Sequence, residues 1–145
     1  MAFINPKNRL YHYCSLHTAA KYIPPELKLR LNPLVTTNDQ SDCKVLCFSA
    51  DDPNYFGYES SSLWASYGGN HKGVCLEFDK SEFINENNPS DEFCSIKMSL
   101  KNIYLGVDFD ENNLQAIISL YPYADIYKLK FHEARMVAKT VYGGN

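Results

Sequence analysis

The chain has 145 residues, 45% apolar and 21% charged, a balance that excludes disorder, collagen-like repeats and a long coiled coil and predicts one compact domain over residues 1–145. Fourteen basic against seventeen acidic residues give a net charge of −3, which disfavours bulk nucleic-acid binding. No apolar run reaches the roughly 18 residues of a membrane span, and the opening MAFINPKNRL lacks the apolar core of a signal peptide, so a soluble, cytoplasmic protein is expected.

Leu10 to Cys14 (LYHYC) alternates as a half-buried strand, and Ser15 stands where an N-cap would open the helix SLHTAAKYI. Pro24 and Pro25 end that helix, because neither can donate a backbone hydrogen bond. Leu27, Leu29 and Leu31 alternate with polar residues as a second strand, and Pro33 with the stretch TTNDQSD reads as a loop. Val45 to Ser49 (VLCFS) is a continuous apolar run, the pattern of an interior strand buried on both faces. DDPNYFGYESSS follows as a turn-rich loop; its serines cap a short helix through LWASY, and Gly68 and Gly69 offer left-handed geometry to end it.

Asn70 to Gly73 form a polar turn into the strand VCLEF. Residues 79–92 read as an exposed connection, partly helical at SEFIN, before FCSIKM resumes an extended pattern. Ile103 to Val107 reads as a strand, Glu111 to Leu120 as a helix with Leu114, Ile117, Ile118 and Leu120 on one stripe, and Asp125 to Phe131 as a strand. The remainder, HEARMVAKTVYGGN, fits either a short helix or a last strand. The sum is an α+β domain with a mixed, mostly antiparallel sheet and about three helices.

Charge is unevenly spread: Lys7, Arg9, Lys21, Lys28 and Arg30 face only Glu26 in the first thirty residues, whereas residues 77–92 carry six acids and one lysine. Five cysteines with no repeated CxxC pair point to reduced thiols, with Cys47 and Cys75 inside apolar runs. Cys43, Cys47, His12 and His17 have the ligand types of a zinc site, but their spacings match no common finger, and no metal ligand is assigned.

Chemistry has few places to reside. His12 lies between Tyr11 and Tyr13 and points opposite to both, as a ligand-binding or acid–base group or as a satisfied core histidine. SLWASYGGNHKG puts Trp64, Tyr67, flexible glycines, Asn70, His71 and Lys72 within a dozen residues, the ingredients of a small-molecule pocket or simply of core anchors beside a helix end. GGNHKG fits neither the P-loop nor the dinucleotide spacing. Asp39, Asp42, Asp51 and Asp52 are loop carboxylates, whereas Glu92 and Glu133 adjoin apolar segments where desolvation would raise a pKa. No GxSxG elbow is present, and no cysteine motif is tied to a distant histidine, so a serine or cysteine hydrolase is discounted.

LYHYCSLHTAAKYI, the TTNDQSD loop, VLCFS, LWASYGGNHKGVCLEF and LKNIYLGVDFDENN resemble, in this order, the bacterial family named domain of unknown function 2971. The block from Leu63 to Phe78 is its specific part. The family's W-x-x-E-x-E-x-R-like segment is shortened here: in SDEFCSIKM, Glu92 and Phe93 match the second acid and its aromatic neighbour, while Cys94 stands in place of the arginine. Glu133 and Arg135 also spell E-x-R but follow the LG strand and are out of order. The opening also looks like the first strand of ADP-ribosyltransferase folds, and this likeness implies His12 on the nicotinamide ribose, Tyr67 stacked on nicotinamide and Glu92 orienting the attacking group.

Trp64 and Ser66 would line that pocket, with Tyr11, Tyr13, Ser49 and His71 also contacting substrate or cofactor. The implied function is an uncharacterised domain with an enzyme-like pocket, an ADP-ribosyltransferase or NAD glycohydrolase taking NAD as substrate, intact or degenerate, in a mobile-element or defence-like genetic setting. A non-catalytic, homo-oligomeric interaction module is the alternative, suggested by the 14% aromatic content and the missing arginine. A zinc-binding regulator is the third reading.

Overall fold

Side-chain alternation along the strands sorts the central sheet into two chemically different faces, and the whole fold follows from covering both. The computed structural model describes residues 6–24, 26–30, 32–33, 44–45, 48–87 and 93–144. The sheet holds β1 (Arg9–Cys14), β5 (Val74–Asp79), β7 (Leu100–Leu105), β8 (Asp125–His132) and β9 (Arg135–Tyr142), in that spatial order. Only β7 and β8 run parallel, joined by the crossover helix α3 (Leu114–Leu120); the other pairs are antiparallel. Two small ladders stand apart, β2 (Lys28–Arg30) with β6 (Phe93–Ser95) and β3 (Asn32–Pro33) with β4 (Lys44–Val45).

One face is aliphatic. Cys14, Val74, Leu76, Phe78, Ile103, Leu105 and Ile126 pack there against Ala19, Ile23, Leu29, Ile117 and Tyr121. Ala19 and Ile23 belong to a wide helical turn closed by Ile23 N–H on Thr18 O at 3.2 Å and opened by Ser15, whose hydroxyl accepts the Thr18 N–H. Tyr121 donates its hydroxyl to the Ala19 carbonyl at 2.6 Å, fastening the end of α3 to that turn. Burial pushes the Cys14 thiol up to about 12, so it packs as a neutral apolar group.

The opposite face is aromatic: Tyr11, Tyr13, Cys75, Tyr104, Tyr127, Leu129 and Met136 meet Tyr58 and Trp64. Phe56, Tyr58, Tyr104 and Tyr127 form a continuous stack with centroids 5.2, 4.2 and 5.3 Å apart. Trp64, on the one-and-a-half-turn helix α1 (Ser61–Ser66) capped by the Ser60 hydroxyl, seats edge-on against Tyr13 and donates its indole N–H to Tyr58 O at 2.8 Å.

Helix α2 (Lys80–Glu86) follows β5 directly, because the Asp79 carboxylate accepts the N–H groups of Ser81 and Glu82. The expected α+β class and mixed, mostly antiparallel sheet hold, and of the two alternatives for the last segment the structure takes the strand, β9. Three local expectations are corrected. The described ends of VLCFS are not interior strand: Val45 belongs to the ladder of Lys44–Val45 with Asn32–Pro33, and Ser49 bridges the outer edge of β1 through two 2.8 Å hydrogen bonds with Tyr11, while Leu46 and Cys47 lie outside the described residues. Gly68 does not take left-handed geometry; a Cβ there would overlap the Trp64 indole, and Gly69 (φ 61°), Asn70 (φ 52°) and His71 (φ 68°) make the turn instead. The strand read through Val107 stops at Leu105. Residues 34–43 of the TTNDQSD loop and residues 88–92 lie outside the described residues.

Trp64 is fully buried and both its ring and its N–H are used. Trp64→Ala should therefore destabilise the fold by about 3–5 kcal/mol, read as a lower urea midpoint with an unchanged slope.

Candidate functional site

Strand β5 is buried on both faces, so its interior carboxylate, Glu77, enters the aromatic layer and must be satisfied there. The Asn102 side-chain amide and the Tyr104 hydroxyl donate to it, the latter at 3.2 Å, and Arg9 Nε lies 3.9 Å away. Arg9 also reaches Asp51 at 3.4 Å, and Asp51 accepts the Gly57 N–H at 2.7 Å, tying the loop of residues 51–59 to the sheet. The Tyr11 hydroxyl, buried beside these groups, has no hydrogen-bond partner among the described residues. Burial, then the charges of Glu77 and Asp51, drive its pKa far above the usual phenol range, so it stays neutral. This network is sealed and holds the layer together.

The open chemistry lies at the other end of β1. Ser15, Leu16 and His17 leave the strand there, Gly69, Lys72 and Gly73 come from the turn after α1, and Asp108, Asp110 and Asn113 come from the loop after β7; together they line a cleft of about 530 Å³. Backbone bonds close the turn and join it to the segment after β7: Gly73 N–H to Gly68 O, Gly106 N–H to Gly73 O and Asp108 N–H to His71 O, at 2.9, 3.0 and 2.9 Å. Glycine is required at 73, where a Cβ would overlap the Cys14 carbonyl. Asn70 and His71 are non-glycine residues held left-handed at the rim, the kind of backbone strain that clusters at functional sites. The His71 ring lies parallel to Trp64 at 6.3 Å, with a buried Nδ1 that has no partner among the described residues.

The residues singled out from the sequence are distributed as follows. His12 is half-buried on the aliphatic face, its ring edge-on to Phe48 at 6.1 Å, so the sheet stands between it and Tyr11, Tyr13 and Trp64. Tyr13 donates its hydroxyl to Gly57 O and is buried, and Ser49 binds the backbone of Tyr11. Trp64, Tyr13 and His71 are brought together; Ser66 and Tyr67 point to solvent, Tyr67 at 65% exposure. Glu92, Cys43 and Cys47 lie outside the described residues. His17 is exposed against Tyr22, and no cluster of three or more metal-ligating side chains occurs among the described residues.

Sequence reasoning gave no ligand role to Asp108, Asp110 and Asn113, whose only signal was the acidic run after the LG strand. Glu77 was missed too, although a lone acid inside an apolar strand is itself a sign of a satisfied buried carboxylate. No helix among the described residues is long and apolar enough to cross a membrane. A family model described as a protein of unknown function (DUF2971) matches residues 63–139, more than half of the chain. No curated protein and no solved structure matches it.

The aromatic face closes on an ion pair. Glu59 accepts both Arg135 Nε and Nη2 at 2.7 Å and the Phe56 N–H at 2.8 Å, and the guanidinium lies over the Tyr55 ring. Burial opposes ionisation of Glu59, but the Arg135 guanidinium and the Phe56 N–H outweigh it and hold the carboxyl below its ordinary 4.5. A depressed carboxyl stabilises the fold above the unfolded value and ceases to do so as pH falls through the folded one. The Tm difference between the protein and Glu59→Gln should be widest near neutral pH and narrow as pH falls through and below the ordinary carboxylate range, as followed by circular dichroism.

Proposed function

The chain belongs to the DUF2971 family, and on that footing we propose that it is a ligand-binding domain of enzyme-like design whose cleft between the end of β1 and the Gly69–Gly73 turn takes a nucleotide of the NAD or ADP-ribose class. One observation carries the reading: the two segments that resemble the family's opening and its central block converge on a single polar cleft. Lys72, His17, Ser15 and Asn113 supply donors for a pyrophosphate, while Asp108 and Asp110 supply acceptors for ribose hydroxyls. In the catalytic form of the reading, an ADP-ribosyltransferase or NAD glycohydrolase, a carboxylate on the ribose stabilises the oxocarbenium-like transition state as nicotinamide leaves. That role is assigned to Glu92, with His12 as the ribose-binding group on the strand that leads into Ser15.

A second reading, a non-catalytic module that self-associates, is favoured by a smaller cleft of about 340 Å³ flanked by the exposed rings of Tyr22 and Phe93. Light scattering tests it: a dimer that Phe93→Asp dissociates supports self-association, and a monomer at every concentration removes it.

For the leading reading, thermal unfolding with millimolar NAD and with ADP-ribose is the test. A ligand at a hundredfold excess over Kd should raise Tm by about 5–10 °C. Lys72→Ala should remove most of the shift. Loss in His12→Ala as well supports the transferase-like arrangement, whereas retention there confines the ligand to the cleft. No shift with either compound rejects the NAD class.

A further inference from the structure

Strands β7 and β8 pair only from Asn102–Asp125 to Leu105–Lys128, yet β8 runs on to His132 with β9 beside it throughout. Beyond Lys128, therefore, β8 has a neighbour on one side and none from the sheet on the other. The chain of β7 is turned away at Gly106: Lys128 Nζ donates to the carbonyls of Gly106 and Val107 at 2.6 and 2.7 Å, and Asp108 N–H is held by His71 O. Gly106 sits so close to His71 that a Cβ would overlap its carbonyl, which fixes the direction of departure.

The space left is a cleft of about 490 Å³ lined by His71, Val107, Asp108 and the four consecutive residues Lys128 to Phe131. Side chains of a strand alternate between faces, so four residues in a row can border one cleft only by presenting the strand's edge. Among the described residues, no backbone hydrogen bond outside the β9 ladder reaches Lys130 or Phe131, whereas the Leu129 N–H still belongs to the last β7 pair, Leu105 with Lys128. An edge of this kind is a template for an added strand.

Charge states what that strand carries. Residues 128–139 hold Lys128, Lys130, Arg135 and Lys139 against Glu133, in a chain whose net charge is −3. Arg135 is committed to Glu59, but Lys130 and Lys139 are exposed and share one face of the hairpin with Val137 and the buried Lys128. Asp108 is the one carboxylate on the lining. On the other face Phe131 is 57% exposed.

We propose that the β8 edge is a docking slot for an extended acidic segment of a partner protein, added as a strand in the place that β7 vacates. Its carboxylates meet Lys130 on one face, and its alternate apolar side chains lie beside Phe131 on the other. The partner is thus an acid–apolar alternating peptide; the slot shares Asp108 with the proposed nucleotide cleft, but Lys130 and Phe131, which bind the peptide, do not line that cleft.

The test is fluorescence anisotropy of the full chain with a labelled octapeptide alternating Glu with Val, and with a display library of octapeptides alternating Asp or Glu with any apolar residue. Binding is expected, weakened at least about tenfold in Lys130→Glu and lost when alternate peptide amides are N-methylated in the register that faces β8. Amide exchange at residues 130–131 should slow in the complex. Lys130 is exposed, so an unchanged Tm certifies that the variant is folded. The proposal is overturned by failure of the octapeptide and of every library member to bind, by equal binding of both N-methylated registers, by equal binding to Lys130→Glu, or by preference for a single-stranded RNA octamer over the peptide.

Discussion

An ammonium group buried against two carbonyls decides where the parallel pair of strands ends. Lys128 is 8% exposed, and taking its charge out of water is costly unless its N–H groups are used; Gly106 and Val107 use two of them. Burial lowers the Lys128 pKa, and the carboxylates of Glu111 and Asp108 act against that shift. Those two carbonyls are available only if the chain leaves β7 there. The turn that results carries Asp108 and Asp110 to the rim of one cleft and uncovers the edge of β8 in another. Both of these clefts thus depend on one satisfied cation.

The two faces of the sheet are held by different physics. The aliphatic face is ordinary close packing, indifferent to orientation, and it accepts His12 at its margin beside Phe48. The aromatic face is directional: stacked rings, an indole N–H on a carbonyl, a carboxylate held by an amide and a phenol, and an ion pair at the rim all require set geometry. That face therefore specifies the path of the loop of residues 51–59, which has little regular structure of its own, and through Trp64 and His71 it supports the left-handed turn at the cleft beside the end of β1.

The same division explains the positions of the candidate residues. Tyr11, Tyr13 and Trp64 have the look of pocket residues because they are aromatic and close to glycines, but their hydroxyls and rings are spent inside the layer. Ser15, His17 and Lys72, plainer residues at strand and turn ends, are the ones that reach open space. A strand end and a turn are open to a ligand, whereas the aromatic face of β1 is covered by Tyr58 and Trp64.

Much of the local structure was legible in the sequence. Period-two alternation marked β1 and β8, and Ser15 and Ser60 announced helical turns. Each of these is decided within a few residues by sterics and by the donors that a backbone must satisfy. The tertiary structure alone decided that VLCFS would flank β1 rather than fill the sheet, that Glu77 would lie under Asn102 and Tyr104, that His12 and Trp64 would face away from each other across the sheet, and that β8 would outrun β7. Those outcomes depend on pairings between residues tens of positions apart, where burial and hydrogen bonding are settled by the partner and not by the local pattern.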